Sequence, residues 1–259
     1  MIFYEVSNSV KDQVNYYDSK AVKNKKRSLL FFGIGFATLG IGFWTGSMVL
    51  YASALAMILG IGELISYELS RSKSFTYLCG YEGENTLKNF LLKNFSNDYT
   101  AYFGVPIPKL GDIDCLLVGP KGIFVIEAKN YRGNLFFKKG LLYRTKITSK
   151  GKKYTEILKK PRIQVERGVE FVKRLLKKKV PVRGIIVFTN EKLTTEFSKC
   201  LKLSKKPWVG ACKIEDLESL ILDSQINLSK AELTEINELI RKKFLNKISE
   251  TKKISTYYG

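Results

Sequence analysis

Four charged residues interrupt two apolar runs in the middle of this chain. Asp112-Ile113-Asp114-Cys115-Leu116-Leu117-Val118 is followed by Gly119-Pro120-Lys121-Gly122, then by Ile123-Phe124-Val125-Ile126-Glu127-Ala128-Lys129. Two β-branched-rich runs around such a turn predict a β-hairpin. A turn centred on Pro120-Lys121 sets Asp114 opposite Glu127 and Asp112 opposite Lys129. Side chains alternate along a strand, and directly opposed residues share a face. One face therefore carries Asp112, Asp114, Glu127 and Lys129. A one-residue slip, from a bulge or a three-residue loop, would move Asp114 to the other face.

Opposed carboxylates repel, and burial sharpens the repulsion. A divalent cation between Asp114 and Glu127 relieves it, and hard oxygen ligands suit Mg²⁺ or Mn²⁺. Lys129, one pleat along, is placed to hold a phosphate or orient a water. The same pattern also fits a solvated strand face with a charge cluster, and the hairpin alone leaves both readings open.

The composition narrows the chemistry. The chain has 259 residues, 44 Lys and Arg against 24 Asp and Glu, and a formal net charge of +20. Such an excess favours a polyanionic partner, nucleic acid or an anionic lipid surface, although lysine-rich drift without a specific partner gives the same count. There is no histidine. That excludes Ser-His-Asp and Cys-His nucleophile systems, HExxH sites and Cys₂His₂ zinc sites. Cys79, Cys115, Cys200 and Cys212 form no CxxC pair, which argues against a zinc ribbon, and they are expected to be free thiols. Cys115 falls on the hairpin face opposite the acids.

Several elements must position these residues. Residues 1–27 are polar and end in a basic cluster from Lys23 to Arg27, and residues 28–62 contain no charge at all. The apolar run is too long for one membrane crossing of about 20 residues. It divides near Thr45-Gly46-Ser47 and predicts helices over Leu29–Trp44 and Met48–Tyr67, with Trp44, Tyr51 and Tyr67 as interfacial aromatics. Arg71 and Lys73 follow, so basic flanks place both ends of this hairpin, 28–67, in the cytoplasm. A buried soluble helical pair and a signal peptide cut near Ala52-Ser53-Ala54 are the alternatives. From Gly80-Tyr81-Glu82-Gly83-Glu84 a helical pattern opens, with Glu84, Leu87, Leu91 and Phe95 on one inward face.

A strand over Tyr99–Val105 ends at Pro106 and Pro108. Beyond the central hairpin come a second hairpin around Lys138-Lys139-Gly140 and a loop over Thr148–Lys153 able to touch phosphates. A helix follows with Pro161 in its first turn and Gln164, Gly168, Phe171 and Leu175 inward, ending at Lys177-Lys178-Lys179. Val182–Thr189 reads as a central strand, Trp208–Ile214 as another, and Glu215–Leu222 as a helix. A capping box at Ser229 and Glu232 starts an amphipathic helix through Leu233, Ile236, Ile240 and Phe244, and a basic tail begins at Lys247. The expected organisation is a basic segment over 1–27, the transmembrane hairpin over 28–67, a mixed-sheet α/β core over 72–190 and an α/β extension with the tail over 191–259.

Five blocks in order carry a resemblance. Gly80-x-x-Gly83-Glu84, Asp112-Ile113-Asp114, Gly122-Ile123-Phe124-Val125-Ile126-Glu127-Ala128-Lys129, Tyr131-x-Gly133 and Gln164 resemble the nuclease-related domain, NERD, over roughly Tyr77 to Thr189. That family belongs to the PD-(D/E)xK restriction-endonuclease-like superfamily, some members of which carry membrane helices. The resemblance implies a restriction-endonuclease-like mixed sheet and metal-assisted phosphodiester hydrolysis. Asp114 and Glu127 would be metal ligands for Mg²⁺ or Mn²⁺, and Glu84 an accessory acid reaching the metal directly or through water. Lys129 would position the attacking water, and Gln164 would orient Lys129 or a phosphate. The implied partner is nucleic acid, DNA before RNA, at the cytoplasmic face of a lipid bilayer, with homodimer pairing to cut both strands. The proline usual before the first acid is Ile113 here. Nuclease-like folds retained only for binding give the alternative, a membrane-tethered nucleic-acid-binding or interaction module.

Overall fold

The chain contains no proline before Pro106, so no proline breaks a helix in its first hundred residues. The computed structural model describes residues 1–45, 47–148, 151–177, 180–197 and 200–245. Two long helices, α1 (Ser9–Thr45) and α2 (Ser47–Asn94), replace the shorter pair expected from hydropathy. Gly80 to Glu84 thus lies inside α2, and Glu84 is not the first-turn acid that the pattern implied. The chain forms two compact units, one of Ser9–Tyr81, the other of Met1–Asn8 with Glu82–Gly259.

In the first unit the two helices run antiparallel. Asn24 donates to Ser66 Oγ at 2.8 Å, Ser28 to the Gly60 carbonyl at 3.0 Å, and Ser53 to Thr38 Oγ1 at 2.9 Å. Small residues permit this closeness: a Cβ added at Gly35 or Gly42 would lie 2.9 Å from Met57 Cγ or Leu50 Cδ2. Arg27 pairs with Glu63 at 3.6 Å. Each helix holds an 18-residue window apolar enough to cross a membrane, and only 17% of each window is buried. Leu29, Phe36, Phe43, Trp44, Leu55 and Ile58 are among the large side chains left exposed. Ala52 to Ala54 lie within α2.

The second unit is built on a seven-stranded mixed sheet. Its strands are β1 (Ile2–Glu5), β2 (Thr100–Ile107), β3 (Gly111–Gly119), β4 (Gly122–Lys129), β8 (Val182–Phe188), β10 (Cys200–Lys205) and β11 (Trp208–Lys213), in the order β1-β2-β3-β4-β8-β11-β10. β1 lies within the polar stretch 1–27, where no strand was expected, and pairs in parallel with Thr100 to Phe103. β2 runs through Pro106, which was expected to end it. Pro106 pairs with Asp112 beyond the last β1 pair, Glu5 with Phe103, where the outer edge of β2 has no ladder bond to lose. β3 and β4 form the expected hairpin in the expected register, from Cys115 opposite Ile126 to Gly119 opposite Gly122. β8 is central, parallel to both β4 and β11.

A second, four-stranded sheet combines β5 (Gly133–Lys138), β6 (Leu141–Ile147), β7 (Lys153–Ile157) and β9 (Leu193–Thr195), in the order β7-β6-β5-β9. The β5–β6 hairpin is the one predicted. Lys139 and Gly140 both have positive φ, 50° and 77°, the geometry of a two-residue type I′ turn. The strands β7, β9 and β10 were not anticipated. Part of the expected phosphate-contacting loop, residues 149–150, lies outside the described residues, as do Lys178, Lys179 and the basic tail from Lys247.

Two cores face the large sheet. On one side Leu116, Val118, Ile123 and Val125 pack with Val165, Val169 and Val172 of α3 (Lys159–Leu176) and with Ile236 and Ile240 of α5 (Lys230–Phe244). A Cβ at Gly168 would come 2.8 Å from Val125 Cγ1, so α3 lies close on β4. On the other side Cys115, Leu117, Phe124 and Ile126 pack against Leu87, Leu91 and Phe95 near the end of α2 and against Leu217 and Ile221 of α4 (Leu217–Leu222). The capping box at Ser229 and Glu232 forms as expected, and all four cysteines are free.

Candidate functional site

The ladder between β3 and β4 stops at Cys115 and Ile126. One residue further, Asp114 takes over with its side chain: the Ala128 N–H donates to Asp114 Oδ2 at 2.8 Å. The carboxylate is thereby fixed against β4 where the two strands part. Glu127 and Lys129 lie one pleat apart, and Lys129 Nζ donates to Glu127 Oε1 at 2.5 Å. Glu127 is 4% exposed although charged side chains rarely sit so deep. The hairpin thus brings Asp114, Glu127 and Lys129 together as the alternation predicted.

Glu84 arrives from α2, one turn ahead of the fully buried Leu87. Gly83 makes the approach possible. A Cβ there would meet Asn130 Cβ and Thr189 Oγ1 at 3.1 Å, so α2 passes against the ends of β4 and β8 at the position without a side chain. Asn130 accepts from Asn190 Nδ2 at 2.6 Å beside this contact. The Thr189 hydroxyl is buried with no hydrogen-bond partner among the described residues.

The electrostatics show a crowded site. Burial, then Asp114 and Asp112, push the Glu84 carboxyl up to about 8, with Lys129 opposing. Burial and then Asp114 push Glu127 up to about 8, again against Lys129. Asp114 is raised by burial in spite of Lys129 and the Ala128 N–H. Burial pulls Lys129 down, but Glu127 and Asp114 outweigh it and hold the ammonium firmly charged. Burial and the neighbouring acids thus favour the neutral carboxyl at Glu84 and Glu127, while the Lys129 ammonium favours the carboxylate. Asp112 contributes to the field at all three acids. The sequence placed it on this face but gave it no role.

Gln164 does not point inward. It is exposed on α3, whose buried stripe is Pro161, Val165, Gly168, Val169, Val172 and Leu176. Among the described residues it makes no hydrogen bond to the carboxylates. Tyr131 is a neighbour that the hairpin alone did not reveal. Its ring lies 6.2 Å from that of Phe188 and 4.0 Å from the Arg144 guanidinium carbon, and its hydroxyl adds to the field at Lys129. Arg144 in turn pairs with Glu156, which also takes Lys146 at 3.0 Å.

The donor set suits a hard divalent cation. Asp114 and Glu127 each commit one oxygen, to the Ala128 N–H and to Lys129, and each carries a second oxygen of the kind a hard cation takes. Among the described residues, no group of three His, Cys, Asp or Glu side chains already stands in ligand geometry.

No curated protein and no solved structure matches the chain. The stretch from Cys79 to Thr189, which holds Glu84, the acidic hairpin, Lys129 and Gln164, matches the family model NERD, the nuclease-related domain, a match that suggests a nuclease-like function and nucleic-acid binding in general.

Proposed function

We propose that the protein is a membrane-anchored, Mg²⁺- or Mn²⁺-dependent nuclease that hydrolyses phosphodiester bonds, of DNA before RNA, at the cytoplasmic face. The observation that carries this reading is the grouping of Asp114 and the buried Glu127 with Lys129 on one hairpin, with Glu84 close enough to feel all three, inside the stretch that matches the nuclease-related domain. Asp114 and Glu127 would hold the cation and Glu84 would complete its shell. When bound, the cation supplies Lewis acidity and lowers the pKa of a coordinated water. Lys129, kept charged by Glu127 and Asp114, aligns the attacking water and offsets charge developing on the phosphoryl oxygens. Gln164, exposed near the start of α3, is available to a substrate phosphate. Homodimer pairing would supply the second cut in a duplex.

The exposed apolar belt on α1 and α2 supports the anchor, because a buried soluble pair would cover it. The basic residues from Lys23 to Arg27, with Arg71 and Lys73, favour cytoplasmic placement of both ends and of the NERD domain. The second reading is a non-catalytic, tethered nucleic-acid-binding module, favoured by the absence of three ready ligands among the described residues. A cleavage assay on the full chain in detergent separates the two. The nuclease reading expects Mg²⁺- or Mn²⁺-dependent cutting, abolished by chelator and by Asp114→Asn. Salt-sensitive binding with no cutting under either cation supports the module.

A further inference from the structure

The four-stranded sheet β7-β6-β5-β9 has an outer face that the proposed chemistry does not use. Leu135 and Leu142 point into the core, so alternation sends Asn134, Phe136, Tyr143, Thr145 and Ile147 outward. The register then sets Thr194, Asn134, Thr145 and Thr155 side by side across all four strands. Thr194 donates to Asn134 Oδ1 at 3.0 Å, and the hydroxyls of Thr145 and Thr155 are 3.0 Å apart. The adjacent row is Phe136, Tyr143 and Ile157. The two rings stack at 5.1 Å with 7° between their planes. On the other side of the polar row lie Lys153 and Ile147, the latter 66% exposed.

A groove of about 390 Å³ follows these rows, lined by Asn134, Phe136, Thr145, Ile147, Lys153 and Lys192. Lys138, Lys153 and Lys192 are exposed around it. Glu196 is the acid of the groove, and its carboxylate accepts from Asn134 Nδ2 at 2.6 Å.

We propose that this face is a platform for unpaired bases, and that the substrate class is therefore nucleic acid with a single-stranded segment. The platform stands on the sheet alone, and its link to substrate choice rests on the nuclease reading. Cross-strand stacking gives the Phe136–Tyr143 pair a role within the sheet, but the aromatic row together with the polar row, the exposed Ile147 and the surrounding lysines forms a mixed surface that a water-facing sheet does not need. A sheet face covered by a second copy of the chain would bring its lysines against like charges. Unpaired nucleic acid satisfies every row. Bases stack on Phe136 and Tyr143, their edges meet the Asn and Thr row, and the lysines neutralise phosphates. Duplex DNA hides its base faces, so the aromatic row discriminates for single strands.

The test uses the full chain in detergent, with chelator present so that nothing is cut. The probe is a labelled oligothymidylate of about 20 nucleotides, compared with a blunt duplex of equal length. The F136A/Y143A variant is expected to bind the single strand about tenfold more weakly or worse, from loss of stacked bases, with duplex affinity little changed. F136L/Y143L keeps apolar packing on the sheet and should show the same selective loss, which separates lost stacking from unfolding. K153Q/K192Q should lower the salt slope for the single strand by about 1.4, two contacts at roughly 0.7 each. Unchanged single-strand affinity in both aromatic variants, or an equal loss for duplex in F136L/Y143L, overturns the platform. So does self-association that these variants abolish while oligothymidylate binding persists. In a separate assay with Mg²⁺ and no chelator, cutting by Asp114→Asn removes the metal site and leaves the platform standing.

Discussion

Replacing Glu127 by Gln separates the electrostatic cost of the site from its shape. The amide keeps an oxygen where Lys129 Nζ donates and removes the titrating charge. Glu127 titrates near 4.5 when unfolded and at about 8 when folded, through burial and then Asp114. Between those values the folded state holds a proton that the unfolded state has lost. Stability therefore falls as pH rises through that window and is flat outside it. Each pH unit inside the window costs about 1.4 kcal/mol, so at pH 7 the cumulative cost is at most about 3 kcal/mol, and the full window about 5 kcal/mol. The Gln side chain bears none of this cost. Without cation, Glu127→Gln should gain up to about 3 kcal/mol at pH 7 and lose roughly one proton's worth of pH slope. It should also lose any stabilisation by Mg²⁺. Urea unfolding of the full chain in detergent and chelator, from about pH 5.5 to 9, reads both slopes. A variant less stable than the parent at every pH, or one with the parent's slope, would refute the reasoning, because Glu127 would then be a stabilising ion-pair partner rather than a strained acid.

Three further outcomes follow from the packing. Gly83→Val should weaken Mg²⁺ stabilisation sharply, because its side chain meets Asn130 and Thr189 and displaces Glu84; Gly80→Ala, 3.8 Å from Val10 Cγ1, serves as the mild control in the same titration. Leu91→Ala, at a fully buried position against the hairpin, should cost about 2–5 kcal/mol in urea unfolding. Deleting Met1–Asn8 removes β1 and the Glu5 partner of Lys88. The urea midpoint should fall, and a fragment starting at Ser72 should show the same deficit.

The hairpin was legible because its turn is symmetric and its strands have no competing register, and that sufficed to unite Asp114, Glu127 and Lys129. The capping box at Ser229 and the central strand from Val182 were legible for equally local reasons. The helix limits were not, since polar residues before Ser28 and after Tyr67 continue a helix as readily as they end one when no proline intervenes. β1 was invisible because four residues without a turn signal find their partner only at Thr100, far along the chain. Gln164 was misread by phase. Pairing it with Gly168 at one-turn spacing put it inside, but the stripe is set by Val165, Val169 and Val172, which leaves Gln164 on the open side. Asp112 was seen and left without a role, because only the folded site shows its field reaching Glu84 from another element.

The central claim, that Asp114 and Glu127 share one divalent cation, is tested most directly by calorimetric titration of Mg²⁺ and Mn²⁺ into the full chain in detergent, alongside Asp114→Ala and Glu127→Ala. Binding to the parent with release of protons, and to neither variant, is the expected result. Equal binding by all three proteins, or none by the parent, would contradict the account.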